Sequence, residues 1–127
     1  MNQDLPDVWE SNQQAFDHAA VHMLRQNKRC HVPGIGCLYR GPNDTACAVG
    51  ALITDDDIER YGIKNGMVGL EVGEDVPRLR RVSPGMLQDL QDLHDSEHED
   101  TWEKCLRNHA VRWKLNTSAI DEFKKGN

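Results

Sequence analysis

Two apolar stripes in the second half of the chain leave it the least freedom in how to fold. Met86, Leu87, Leu90 and Leu93 recur at helical spacing behind Ser83 and Pro84, and Trp102, Leu106, Ala110 and Trp113 do so behind Asp100 and Thr101. Residues three and four apart share one side of a helix, so each stretch predicts an amphipathic helix with one face in a core. Serine caps a helix start, and proline suits the first helical position, where no N–H is needed. A third stripe (Trp9, Phe16, Ala20, Met23 and Leu24) predicts an N-terminal helix capped by Asp4, with Pro6 in its first turn. Thr54 and Asp57, three residues apart, read as a capping pair for a short helix ending near Gly62. Ser118 with Asp121 reads as a cap for a last turn carrying Ile120 and Phe123.

The stretch "CLYRGPNDTACAVGALI", residues 37–53, is less determined. Gly-Pro-Asn-Asp is turn chemistry. Beyond it the chain either returns as the second strand of a hairpin or starts a short helix capped by Thr45. The small residues Ala46, Ala48, Gly50 and Ala51 favour the helix, since they allow close approach and define no pleated face. Residues 62–82 read as a loop punctuated by glycines, in which alternating Val68, Leu70 and Val72 permit a short strand. A chain of 127 residues suits one domain. The expected fold is mainly α: a compact single-domain bundle of four to five helices over residues 1–127, with at most a short β-hairpin near 36–49 and a frayed end at 124–127.

Charge narrows the partners. Twenty-one acidic against 15 basic residues give a formal charge of −6, whereas phosphate recognition rests on Lys and Arg. Arg78, Arg80 and Arg81 form the one basic cluster. They carry an alternative reading as a nucleic-acid binder, although Glu71, Glu74 and Asp75 are near enough in sequence to neutralise them. The first residues, "MNQDLPDVWE", hold neither a basic segment nor an apolar one, and no run approaches the roughly 18 apolar residues of a membrane span. The four cysteines then read as reduced thiols in a cytoplasm.

Several residue sets carry possible chemistry. Cys30, His31, Cys37 and Cys47 have the donor types that zinc favours, but no short C-x₂₋₄-C spacing. Free cysteines also pack as small hydrophobes, and that is the favoured reading. His18 and His22 share a helix face roughly 200–240° from Phe16 and are expected in solvent; the glutamate of H-E-x-x-H is missing. His94 and His109 fall on inward stripes and read as core histidines, where burial disfavours the charged imidazole. An enzymatic alternative uses the doublet His94-Asp95. The order His22 or His31, His94-Asp95, Asp121 resembles the H…H-D…D order of helical metal-dependent phosphohydrolases of the HD class. In a related variant Cys37 and Cys47 join His94 and Asp95. Zinc or another divalent metal belongs to this alternative alone, and 25 residues between the doublet and Asp121 leave it little freedom. Gly62, Gly66 and Gly69 match no phosphate-binding loop.

The strongest surface feature is acidic. Asp89, Asp92, Asp95, Glu97, Glu99, Asp100 and Glu103 follow one another with no Lys or Arg among them. Such a run either favours the start of the Trp102 helix from a solvated junction or forms an electronegative patch that competes with phosphate for a basic protein surface.

Taken in order, "CLYRGPNDTACAVGALI", "LQDLHDS" and the following Trp102, Leu106, His109-Ala110 and Trp113 resemble a group of small proteins of tailed bacteriophages and prophages, over roughly residues 15 to 115. The resemblance implies an accessory protein in a bacterial cytoplasm and carries no catalytic residue with it. The function expected is therefore non-enzymatic: binding and inhibition of a host protein of defence or nucleic-acid processing. Asp92, Asp95, Glu97, Glu99 and Asp100 would steer the partner, and apolar residues of the central loop would add contact area.

Overall fold

The structure, a computed structural model, describes residues 5–28, 31–32, 36–37, 40–41, 45–63 and 75–126. Among them are five α-helices: α1 (Asn12–Gln26), α2 (Asp55–Arg60), α3 (Pro84–Ser96), α4 (Trp102–Trp113) and α5 (Ser118–Lys125). Short 3₁₀ turns lie at Gly50–Leu52, Pro77–Leu79 and Glu99–Thr101. The extended structure is confined to two antiparallel ladders of two residues per strand. β1 (His31–Val32) pairs with β2 (Gly36–Cys37), and β3 (Arg40–Gly41) pairs with β4 (Thr45–Ala46). This is the mainly α architecture expected, and β3–β4 supplies the hairpin within 36–49.

α1 packs against α4, α5 and the 3₁₀ turn at Gly50, while α3 packs against α4. Phe16, Met23, Leu52, Leu79, Leu87, Trp102 and Ile120 are wholly buried between them. Each large apolar side chain so buried contributes about 1.5–3 kcal/mol. The helix ends are fixed locally. Ser83 Oγ accepts from the N–H of Met86, with Pro84 in first position. Thr54 and Asp57 form a complete capping box. Lys114, with φ of 58°, turns the chain out of α4. Gly85 permits a close approach: a Cβ there would lie 3.1 Å from Trp113, whose indole N–H reaches Asp89 Oδ2 at 3.0 Å, one turn further along α3.

Four local expectations are corrected. Pro6 is not in a helix: α1 begins at Asn12 behind Ser11, whose Oγ accepts from the N–H of Gln14 at 3.2 Å, and Asp4 lies outside the described residues. Trp9 is core nonetheless, because its indole N–H donates to Leu52 O at 2.8 Å. Thr45 caps no helix. It starts β4, and the chain then turns at 47–49 into the single 3₁₀ turn Gly50–Leu52. Ser118 is the first residue of α5, not its cap, and its N–H is bound by Asn116 Oδ1 at 3.1 Å. Lys124 and Lys125, expected at a frayed end, are helical. The strand considered over 68–72 lies outside the described residues.

The segment from β4 to Ile53 is buried, and its two-residue ladder and single 3₁₀ turn satisfy only part of its polar backbone, so the rest must find partners elsewhere. Side chains distant in sequence provide them. Gln26 pairs with both backbone groups of Ala46 at 3.0 Å, as a neighbouring strand would, and His22 Nε2–H donates to the same carbonyl at 2.9 Å. Gln91 accepts from the N–H of Val49 at 3.2 Å. Arg40 donates to the carbonyls of Gly50 and Ile53 at 2.7 and 2.8 Å, and its Nε holds Asp55 at 2.7 Å.

A second tie joins the N-terminal segment to α2. Arg78 Nε holds Asp57 Oδ2 at 2.7 Å, its Nη1 donates to Pro6 O, and its own carbonyl accepts from the N–H of Trp9 at 3.0 Å. The two charged side chains are 16% and 8% exposed, so removing one leaves its partner unpaired in a poorly hydrated place. Arg78→Ala is expected to destabilise the fold by about 3 kcal/mol in urea denaturation. Gln91→Met, which strands the Val49 N–H, should cost about 1–3 kcal/mol. Gln88→Met, one turn earlier on the exposed side of α3, should change stability by less than about 0.5 kcal/mol.

Candidate functional site

The acidic run divides in two. Asp89 accepts from Trp113 and lies 3.4 Å from Arg112 Nε. Asp95 Oδ1 accepts from both His94 Nδ1–H and Gln91 at 2.8 Å. Glu103 is held by Arg107 at 3.2 Å and Lys124 at 3.1 Å, and these cations keep its carboxyl below the usual range. Asp92, Glu97 and Asp100 instead point into solvent from the end of α3 and the Glu99–Thr101 turn. None of the three forms an ion pair with Lys or Arg among the described residues: Asp92 accepts from Gln88, and Asp100 is 3.5 Å from His98. Glu99 is half-buried. Of the five carboxylates expected at a partner surface, three therefore face outward without a cation, and Asp95 is engaged by its own helix.

His94 and His109 are buried, as expected. His94 is fully enclosed, stacks on Trp102 with centroids 5.3 Å apart and donates to Asp95; its Nε2 has no partner. His109 lies nearly parallel to Phe16, 5.6 Å away, and its Nε2 is also unpartnered. Burial pushes the His109 imidazole down to about 4, against a small opposing effect of Asp89 and with a small addition from Arg112. Cys47 is buried as well, its sulfur accepting from the N–H of Gly50 at 3.2 Å. The ordered set His22, His94-Asp95 and Asp121 is not brought together: Asp121 is on α5, 2.9 Å from Arg107. Among the described residues, no three His, Cys, Asp or Glu side chains gather as a metal site would require. Cys30 and the side chains of His31 and Cys37 lie outside them.

His18 and His22 correct the sequence reading most. They are not in solvent, because β4 and the Gly50 turn cover that side of α1. His22 bonds Ala46, His18 bonds the Ala51 backbone, and His18 tilts against Trp9 with centroids 5.1 Å apart. Burial lowers both imidazoles. The backbone bonds oppose the effect; Arg25 adds to it at His18, and His18, His94 and Arg40 add to it at His22. Beside them opens a cleft of about 810 Å³, lined also by Asp17, Arg25, Arg40 and Trp9. The available signal was the polar row His18, His22, Gln26 at i, i+4, i+8, opposite the apolar stripe; nothing local tells such a row facing water from one facing backbone.

Arg78 is corrected too. It is half-buried on Asp57 and committed to the fold, while Arg80, Arg81 and Asp75 are exposed; Glu71 and Glu74 lie outside the described residues. No helix among the described residues is long and apolar enough to cross a membrane. The class of protein thus defined is a small, mainly α domain with an acidic helix junction and a polar cleft. No protein family, curated protein or solved structure matches the chain.

The buried imidazole makes a pH prediction. His109 has its folded value near 4, below the roughly 6.5 of an unfolded histidine. Its contribution is therefore complete above pH 6.5 and is lost as pH falls toward 4, a change of about 3 kcal/mol. His109→Phe, which keeps the stack on Phe16, should flatten that part of the stability–pH curve measured by urea denaturation.

Proposed function

We propose that this chain is a non-enzymatic binding domain that offers the α3–α4 junction to a basic surface on a host bacterial protein, as a phage accessory protein acting in the cytoplasm. The observation that carries this reading is the outward Asp92, Glu97 and Asp100, left without an internal cation while Asp89, Asp95 and Glu103 are engaged within the fold. Uncompensated charge of one sign raises the rate of encounter with an oppositely charged surface. Proteins of defence and nucleic-acid processing carry such basic surfaces because they contact phosphates, and this, with the resemblance to tailed-phage proteins, directs the choice of target.

The variant Asp92→Asn, Glu97→Gln, Asp100→Asn tests this reading. It should fold with stability within about 0.5 kcal/mol of the parent, because these carboxylates hold no structural cation. Immobilised parent should capture a basic protein from bacterial lysate at low salt and release it at high salt, and the variant should retain it roughly tenfold less well. Capture indifferent to both salt and the substitutions would sink the proposal.

A further inference from the structure

The cleft beside α1 is lined mainly by nitrogen-bearing side chains where it is polar. Four nitrogenous bases, His18, His22, Arg25 and Arg40, line it against one carboxylate, Asp17, in a protein of formal charge −6. Its volume of about 810 Å³ lies within the roughly 300–1,000 Å³ of small-molecule sites.

The bases have different duties. Arg40 is fully occupied by Asp55 and two carbonyls, so it supplies positive charge to the wall and no spare geometry. His18 and His22 each give one ring N–H to a backbone carbonyl. Arg25 is exposed at the rim and has no hydrogen bond or ion pair among the described residues; its guanidinium carbon stands 5.8 Å from the centroid of the Phe123 ring. A guanidinium lying over an aromatic face keeps its in-plane N–H fork available, and that fork matches phosphate and carboxylate oxygens. Asp17 accepts from Gln13, and burial raises its carboxyl, which weakens its opposition to an anion.

We propose that this cleft binds a phosphomonoester of a small organic molecule of about nucleotide size, with the Arg25 fork on the phosphate, His18 and His22 completing its charge, and Trp9 and Ile53 beside the organic part. A phosphate fits better than a carboxylate because three acceptor oxygens and up to two charges can satisfy a fork and two imidazoles at once. The groups facing those imidazoles are Asp17 and Arg25 on α1, Arg40 on β3 with its partner Asp55 on α2, and His94 on α3. Without a ligand, burial first and the neighbouring cations second disfavour the charged form of His18 and His22. A bound dianion supplies the missing counter-charge, so each imidazole gains a proton as the ligand enters.

Calorimetric titration of the full chain with adenosine 5′-monophosphate, ribose 5-phosphate and glycerol phosphate, each beside its dephosphorylated counterpart, tests this. At least one phosphate should bind while its counterpart does not. Repeating that titration at pH 7 in buffers of different ionisation enthalpy should show net proton uptake. Arg25→Ala should weaken binding roughly tenfold or more with little change in the thermal melt, since Arg25 is exposed and meets α5 through the Phe123 ring alone among the described residues, and Arg25→Lys should recover only part of the loss. The absence of binding by all three phosphates overturns the proposal. So does equal binding of the dephosphorylated compounds, proton release, or an Arg25→Ala variant that binds as well as the parent.

Discussion

The fold depends on burying a stretch of backbone that its own short elements satisfy only in part. From Thr45 to Ile53 the chain runs through a two-residue strand, a turn and one 3₁₀ turn, and all of these residues but Ala46 are buried. A buried peptide group without a partner costs about 1–3 kcal/mol, so several would consume the stability of a small domain. The molecule answers with side chains. Gln26, His22, His18, Arg40, Gln91 and Trp9 reach in from α1, α3, β3 and the N-terminal segment to bond this backbone. These contacts set which faces of α1 and α3 turn inward and hold the N-terminal segment over the Gly50 turn. They also explain why so many polar residues are shielded in a domain with a modest core.

That arrangement sorts the charge. Arg40 on β3 is held by Asp55 and Arg78 by Asp57, both carboxylates of α2. Arg107, Arg112 and Lys124 stay with Asp121, Asp89 and Glu103 on the α4–α5 side. Asp92 and Glu97 at the end of α3 and Arg25 at the cleft keep no ion pair among the described residues, and neither do Arg80, Arg81 and Lys104 elsewhere on the surface. A net charge of −6 says nothing about where the pairs have formed.

Sequence reasoning succeeded where the deciding contacts are local. Ser83 with Pro84, Thr54 with Asp57, and the stripes of α3 and α4 are read correctly because cap and stripe lie within a few residues of each other. It failed where the partner is remote. Small residues after Thr45 favour helix only while their backbone has no alternative bonds, and the alternatives come from Gln26, 20 residues upstream, and Gln91, 42 residues downstream of the groups they bind. Arg78 looked like part of a surface cluster because Glu71, Glu74 and Asp75 are close in sequence, whereas Asp57 is 21 residues away. The polar row of α1 failed for the same reason. Hydrophobic periodicity identifies one buried face of a helix and has no signature for a second face buried against backbone.

The buried thiol and imidazoles take different roles, side chain by side chain. Cys47 is packing with a weak hydrogen bond, in the interior of the segment that contains it. His94 is more than packing: its bond to Asp95, shared with the Gln91 that holds Val49, ties an aromatic stack to the backbone network. His109 has no such bond, and its place between α1 and α4 rests on shape and stacking against Phe16. His18 and His22 combine a structural bond on one nitrogen with a cleft beside the ring. A histidine at a helix–backbone contact is thus positioned by the fold on one edge and left available on the other. That is why the cleft, rather than the fully enclosed His94 or His109, is where the imidazoles of this protein can meet a ligand.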